Sequence, residues 1–134
     1  NRYAGPPYKF MNGTPNIPAL ETVSPGLKIL SEIGIKSIRE KSMRQTARLI
    51  ELADQHGWRV NTPRDPQRRG GTVSIDMPNS KEVCAELLKR DILVDYRPNA
   101  GVRFSPHFYN SDQELETGIA AVEEILHARP ALAR

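Results

Sequence analysis

The sequence of 134 residues contains a single cysteine, Cys84, and no apolar run that approaches the roughly 20 residues needed to cross a bilayer. One cysteine excludes a disulfide framework and a cluster of thiolate metal ligands. The excess of positive charge is only +3, which does not indicate nucleic acid as a partner. We therefore expect a protein without membrane or nucleic-acid partners, in a reducing, cytoplasmic setting.

Two helical patterns fill the first part of the chain. Residues 17–33 carry apolar side chains at helical spacing, but Pro25 and Gly26 interrupt them and predict a kink or two short helices. Gly34 separates this segment from residues 35–55, where an apolar stripe among many charges predicts one long helix.

The second part alternates short strands with helices. Strand patterns occur at 58–60, 72–76, 92–96 and 101–105, and a Pro- and Gly-rich loop spans 61–71. Two helix starts have the spacing of a capping box, Asn79 with Glu82 and Ser111 with Glu114. The order β-β-α-β-β-α predicts an α+β fold: a small, largely antiparallel sheet covered on one face by helices and preceded by the long helix.

Arg103 is the strongest candidate for a binding residue. It lies between Val102 and Phe104 in a predicted strand, so it faces the side of the sheet opposite the helices. A guanidinium is a rigid fork of donors that binds a carboxylate through two hydrogen bonds. The alternative is a solvated arginine on an open sheet face, and the residues alone leave both interpretations open.

The segment NGTPN, residues 12–16, is a second candidate. Gly13 allows close approach of the backbone, and the Thr14 hydroxyl with neighbouring amides could hold a phosphate ahead of the first helix. The alternative is a plain Gly/Pro turn with an Asn cap.

Other polar residues indicate structure rather than chemistry. We interpret the basic loop RDPQRRGG (64–71) as a solvated turn, although its arginines could touch phosphates, and Cys84 as a core residue on an apolar helix face. His107 follows the strand of Arg103, where it either lines the same cleft or is an ordinary loop residue. The three histidines show no metal-ligand spacing.

Several of these segments, taken in order, resemble one enzyme family. KFMNGTPNIPAL (9–20) is similar to the Gly-Thr-Pro-Asn segment of class V, fold-type I enzymes, which use pyridoxal 5′-phosphate (PLP). RRGGTVSIDM (68–77) and LVDYRPNAGVRFSPHFYNSDQEL (93–115) are similar to the small C-terminal domain of those enzymes. Within the family the resemblance is strongest to kynureninases, on Asp95, the Arg97-Pro98-Asn99 loop, Gly101-Val102-Arg103, Pro106 and Tyr109-Asn110-Ser111.

The resemblance implies three residue roles and one cofactor. Arg103 matches the arginine that binds the α-carboxylate of an amino-acid substrate, and Asn12 matches a position near the substrate side chain. Thr14, next to Gly13, matches the threonine that reaches across a homodimer to the PLP phosphate of the other subunit. Active sites shared between two subunits are implied.

The resemblance also implies residues that this chain lacks. The Schiff-base lysine, the aspartate facing the pyridine nitrogen and the aromatic residue stacked on the ring belong to an upstream segment of the family. We therefore expect residues 1–34 to join from a missing large PLP-binding domain and residues 35–134 to form the small C-terminal domain. On this expectation the chain alone is inactive.

Three functions stay open. The first is a kynureninase-like enzyme that hydrolyses the Cβ–Cγ bond of an aryl-ketone amino acid. The second is another class V enzyme, an aminotransferase or a related PLP lyase; a cysteine desulfurase is disfavoured because the loop before Arg103 carries no cysteine. The third is a non-catalytic interaction module whose open sheet face is a docking surface.

Overall fold

The computed structural model describes residues 5–6, 8–10 and 13–128, and the chain divides into two units, residues 1–35 and 36–134. The first unit contains a 3-10 turn, Tyr8–Phe10, and helix α1, Ile17–Ile33. The Asn16 side chain caps α1 by accepting a hydrogen bond of 3.2 Å from the amide of Ala19. Among the described residues no helix is long and apolar enough to cross a membrane.

Helix α1 continues through Pro25 without a break, so the predicted alternative of two short helices is wrong. A proline inside a helix removes one amide donor, and the turns on either side keep their own hydrogen bonds. Gly34 ends the helix, as expected, with its amide donating to the carbonyl of Leu30 at 2.9 Å.

The predicted long helix is α2, Ile35–Gln55, and the elements after it follow in the predicted order. They are β1 Arg59–Val60, β2 Val73–Asp76, α3 Ser80–Leu88, β3 Asp95–Arg97, β4 Gly101–Phe104 and α4 Asp112–Ala128. Strand β3 begins three residues later than the predicted strand at 92–96. The amide of Ile92 still bonds the carbonyl of Leu87 in the preceding helix, and Asp91 has a φ of 58°, so the chain reaches the sheet only afterwards.

The four strands form one antiparallel sheet in the order β1-β2-β4-β3. One face of it is apolar and packs against the helices, fully buried at the central strands and partly buried at Val60 and Tyr96. The core includes sheet residues Val73, Ile75, Val102 and Phe104 together with Leu49 and Ala53 of α2, Val83 and Leu87 of α3, and Ile119 and Val122 of α4. The predicted α+β fold is confirmed.

The two predicted capping boxes have different outcomes. At the start of α4 the box is confirmed, because Ser111 and Glu114 exchange hydrogen bonds between side chains and amides. At α3 it is wrong: Asn79 has a left-handed φ of 52°, and its side chain makes no capping bond. The Ser80 hydroxyl instead holds the turn, accepting from the amide of Met77 at 3.0 Å and donating to its carbonyl at 2.8 Å.

The basic loop is anchored to α2, so its interpretation as a solvated turn is wrong for Arg69. That side chain is buried, and its guanidinium donates to the Thr46 hydroxyl at 3.0 Å and to the carbonyls of Met43 and Arg64. Arg64 forms two hydrogen bonds of 2.7 Å with Asp54. Arg64 and Arg69 of this loop therefore have structural partners, whereas Arg68 is exposed.

Candidate functional site

Arg103 lies on the open face of the sheet, as its position in the sequence predicts. Its neighbours Val102 and Phe104 point into the core, whereas its own side chain is 37% exposed. In the register its partners are Ser74 on β2 and Asp95 on β3. The Ser74 hydroxyl turns away to the carbonyl of Ala100, at 2.7 Å, and leaves the guanidinium to Asp95.

Asp95 and Arg103 form a pair with two hydrogen bonds. The Arg103 Nε donates to Oδ1 of Asp95 at 2.7 Å, and Nη2 donates to Oδ2. A carboxylate that meets a guanidinium in this way matches its planar fork. The sequence resemblance included Asp95 but gave it no role, and the pairing is therefore a structural finding.

Arg97 approaches the same carboxylate from the end of β3. Its Nη2 lies 3.1 Å from Oδ2 of Asp95. Two guanidiniums and one carboxylate leave a net charge of +1 at this place on the sheet. The hydrogen bond from Arg103 and the charges of both arginines lower the pKa of Asp95, so its carboxylate is ionised at neutral pH.

A tight hairpin determines which residue faces Arg103. The amide of Ala100 donates to the carbonyl of Arg97 at 3.1 Å, with Pro98 and Asn99 between them and a φ of 63° at Asn99, as in a type II turn. This turn pairs Arg97 with Gly101, and two residues further along each strand it pairs Asp95 with Arg103. The Pro-Asn sequence was the signal from which the pair could have been found.

One edge of the Arg103 guanidinium makes no hydrogen bond to a described residue. Of the five N–H groups of an arginine, Asp95 takes one at Nε and one at Nη2. No described residue accepts a hydrogen bond from Nη1. The edge formed by Nη1 and the second Nη2 hydrogen can therefore bind another carboxylate with the same two-bond geometry.

The other predicted site residues lie in different parts of the chain. Gly13 and Thr14 belong to the first unit, ahead of α1, and both are exposed. Asn12 lies outside the described residues. His107 is exposed and stacks on Tyr109, with 4.5 Å between ring centroids, as an ordinary loop residue does.

Cys84 is a core residue, as predicted. Its side chain lies on the buried face of α3, with 5% of the residue exposed. Burial raises the pKa of its thiol, and the nearby charge of Asp95 acts in the same direction. A thiol in this environment is unsuited to nucleophilic chemistry.

Residues 38–122, more than half of the chain, match the family model described as the kynureninase C-terminal domain. The chain belongs to the kynureninase C-terminal domain family. Its predicted resemblance to kynureninases is thereby confirmed. The kynureninase of Geobacillus thermodenitrificans (strain NG80-2) is 28% identical over 125 residues, which are 90% of this chain, and that of Pseudomonas fluorescens is 31% identical over 123 residues, or 88%.

A solved structure shares the fold over nearly the whole chain. The apo cysteine desulfurase from Thermococcus onnurineus NA1 superimposes with a TM-score of 0.82 at 28% identity and covers 95% of this chain. The chain spans 35% of that protein and 29–30% of the two kynureninases. The chain thus spans only a minor part of each of these proteins.

Proposed function

We propose that this chain works as the C-terminal part of a longer, PLP-dependent enzyme that hydrolyses the Cβ–Cγ bond of an aryl-ketone amino acid, the kynureninase reaction. The observation that carries the proposal is the guanidinium of Arg103, fixed on an open sheet face with one donor edge unused, in a chain of the kynureninase C-terminal domain family. The share of the kynureninases that the chain spans, 29–30%, supports a role as part of a larger whole.

In this proposal Arg103 binds the α-carboxylate of the substrate. The hydrogen bond to Asp95 raises the pKa of Arg103 above its already high ordinary value, so the group holds its charge and does not transfer a proton. A carboxylate held through both oxygens has a fixed position and plane, and together with the other substrate contacts this helps to align one bond at Cα for reaction. Arg103 therefore orients the substrate.

Gly13 and Thr14 are proposed to contact the phosphate of PLP, with Thr14 reaching the cofactor of the second subunit in a homodimer. Their surroundings suit this role: Thr14 is exposed, and apart from the chain neighbours of Gly13 no atom of the described residues lies within 4 Å of the place where a Cβ on Gly13 would be. PLP, when bound, supplies an electron sink for bonds at Cα. Asn12 is proposed to lie near the substrate side chain, and the remaining cofactor contacts, including the Schiff-base lysine, are proposed to come from the large domain.

The second candidate is another class V enzyme, an aminotransferase or a related PLP lyase. The structural similarity to a cysteine desulfurase supports this wider class. The desulfurase reaction itself is disfavoured, because Cys84 is the only cysteine of the chain and is buried. A non-catalytic interaction module is the third candidate.

The products formed by the complete protein with PLP test these candidates. Hydrolysis of L-kynurenine adds the hydroxyl of water to the carbonyl carbon and a proton to Cβ, and so releases an aryl carboxylic acid and alanine. An aminotransferase would instead need a 2-oxo acid and would return a new amino acid. A related PLP lyase would convert an amino acid without a 2-oxo acid. If the complete protein with PLP converts no amino acid, the enzymatic proposal is wrong and the interaction module is favoured.

The Thr14→Ala variant tests the proposed phosphate contact. We expect weaker retention of PLP in the dimer, measured by titration of the apoenzyme with the cofactor. Thr22→Ala is the matched control, because among the described residues the Thr22 hydroxyl donates to its own helix, at the carbonyl of Ala19. Equal PLP affinity in the two variants would contradict the role of Thr14.

A further inference from the structure

We propose that Asp95 is a positioning residue for Arg103: by binding one edge of the guanidinium, it directs the opposite edge toward the α-carboxylate of the substrate. This inference rests on the proposed function, because it takes from it the contact between Arg103 and the substrate. It adds a residue that acts through Arg103 and touches no substrate atom.

The geometry of the pair supports a positioning role. A guanidinium is planar, so two hydrogen bonds along the Nε and Nη2 edge fix both the plane of the group and the direction of its remaining donors. Without them, a long arginine side chain that is 37% exposed would sample many rotamers. Holding it in one orientation removes that freedom before the substrate arrives.

Asp95 is itself held firmly. The turn at Pro98 and Asn99 sets the register that places it opposite Arg103, and Tyr96, the next residue on β3, packs against the core. A strand is a better support for a precise contact than a loop. The hairpin therefore holds Asp95 in place, and Asp95 in turn limits the movement of the Arg103 guanidinium.

The charge of Asp95 acts in the opposite sense to its positioning effect. A carboxylate next to Arg103 reduces the positive potential that attracts a substrate carboxylate. Arg97 offsets this, since it contacts the same carboxylate and keeps the cluster at a net charge of +1. Neutralising Asp95 therefore distinguishes the two effects by the direction in which the affinity for substrate changes. Loss of the positioning effect weakens substrate binding, whereas removal of the negative charge next to Arg103 strengthens it.

Asp54 with Arg64 provides a matched control. This pair also has two hydrogen bonds, donated by Nη1 and Nη2 of Arg64, and the Asp54 side chain is 44% exposed, as is that of Asp95. It joins α2 to the loop at 61–71 and has no proposed part in binding. Asp54→Asn therefore measures what the loss of such an ion pair does to the fold alone.

The experiment uses the complete enzyme with PLP and compares wild type with Asp95→Asn, Asp54→Asn and Arg103→Ala. Calorimetry gives the dissociation constants of a non-reacting kynurenine analogue and of its α-carboxamide, and kinetics give KM and kcat for L-kynurenine. We expect Asp95→Asn to weaken binding of the acid about tenfold, the factor that one charge-assisted hydrogen bond represents, and to leave the amide unchanged. Asp54→Asn should alter neither.

A conservative variant and the thermal unfolding midpoints complete the design. Asp95→Glu keeps both oxygens on a longer side chain, and we expect it to recover part of the affinity for the acid and to serve if the Asn variant does not fold. The thermal midpoints of Asp95→Asn and Asp54→Asn should both fall, and that of Asp95→Asn at least as far, because Asp95 contacts Arg97 as well as Arg103.

Each outcome decides the proposal. Tighter binding of the acid in Asp95→Asn would show that Asp95 competes with the substrate, and equal weakening of acid and amide would show a structural role; either result overturns the proposal. If Arg103→Ala changes the ratio of acid to amide affinity but Asp95→Asn does not, the positioning role alone fails. If Arg103→Ala leaves that ratio unchanged, the proposed substrate contact fails and the positioning role fails with it.

Discussion

The backbone of Ile75 lies where a Cβ on Gly101 would be. A side chain at position 101 would overlap the Ile75 carbonyl and would come within 2.6 Å of the Cα of Asp76. The φ of Gly101 is 89°, in the region that only glycine adopts readily. Strands β2 and β4 therefore approach closely at the turn that brings Asp95 opposite Arg103, and this position is restricted to glycine.

Gly101→Ala should destabilise the chain strongly. Backbone strain at a positive φ and an overlap with backbone atoms together predict a loss of about 2–4 kcal/mol in the free energy of unfolding. Urea denaturation measures it. Gly70→Ala is the control, because nothing lies within 4 Å of its added Cβ and its φ is not positive; similar losses in the two variants would contradict the account.

Arg69→Ala should unfold more easily than Arg68→Ala. Arg69 is 7% exposed and donates to Thr46, Met43 and Arg64, whereas Arg68 is exposed. Removing the buried guanidinium leaves acceptors without donors and should cost about 2–4 kcal/mol, against less than about 0.5 kcal/mol for Arg68. Chemical denaturation of both variants tests this, and equal stabilities would mean that the loop is solvated after all.

The contribution of Asp95 to stability should depend on pH. Because its pKa is lower in the folded chain than the ordinary 3.8, the pair stabilises the fold above that value, and the stabilisation is lost as pH falls through the lowered pKa. The thermal midpoint of Asp95→Asn should therefore lie below that of wild type at pH 7 and meet it in strong acid. A gap that stays constant down to strong acid would show that the ion pair is not its cause.

Cys84 should resist thiol reagents while the chain is folded. Burial raises the pKa of the thiol and blocks access, so alkylation by iodoacetamide near pH 8 should be at least about tenfold slower than for a free cysteine. Denaturation in urea should restore the ordinary rate. Fast alkylation of the folded chain would reopen the desulfurase alternative.

The sequence predicted the order of strands and helices because each element follows a local period. Alternation of Val73, Ile75, Val102 and Phe104 also predicted correctly that Arg103 faces away from the helices. The order of the elements and the face on which Arg103 lies both follow from residues that are close together in the sequence.

The contacts that set the candidate site depend on pairings between segments. The partner of Arg103 follows from the register of a hairpin, and the predicted strand at 92–96 took no account of the turn at Pro98 and Asn99. The burial of Arg69 likewise depends on Thr46, which is 23 residues away in sequence. At Asn79 the spacing of a capping box was present, but the left-handed backbone makes it ineffective.

The kinetics of Arg103→Ala and Arg103→Lys in the complete enzyme test most directly whether Arg103 binds the α-carboxylate of the substrate. We predict that the alanine variant raises KM for L-kynurenine roughly 10- to 100-fold while the absorbance of bound PLP persists. The lysine variant, which keeps the charge but not the fork, should recover only part of this loss. Unchanged KM and kcat in Arg103→Ala would contradict the claim.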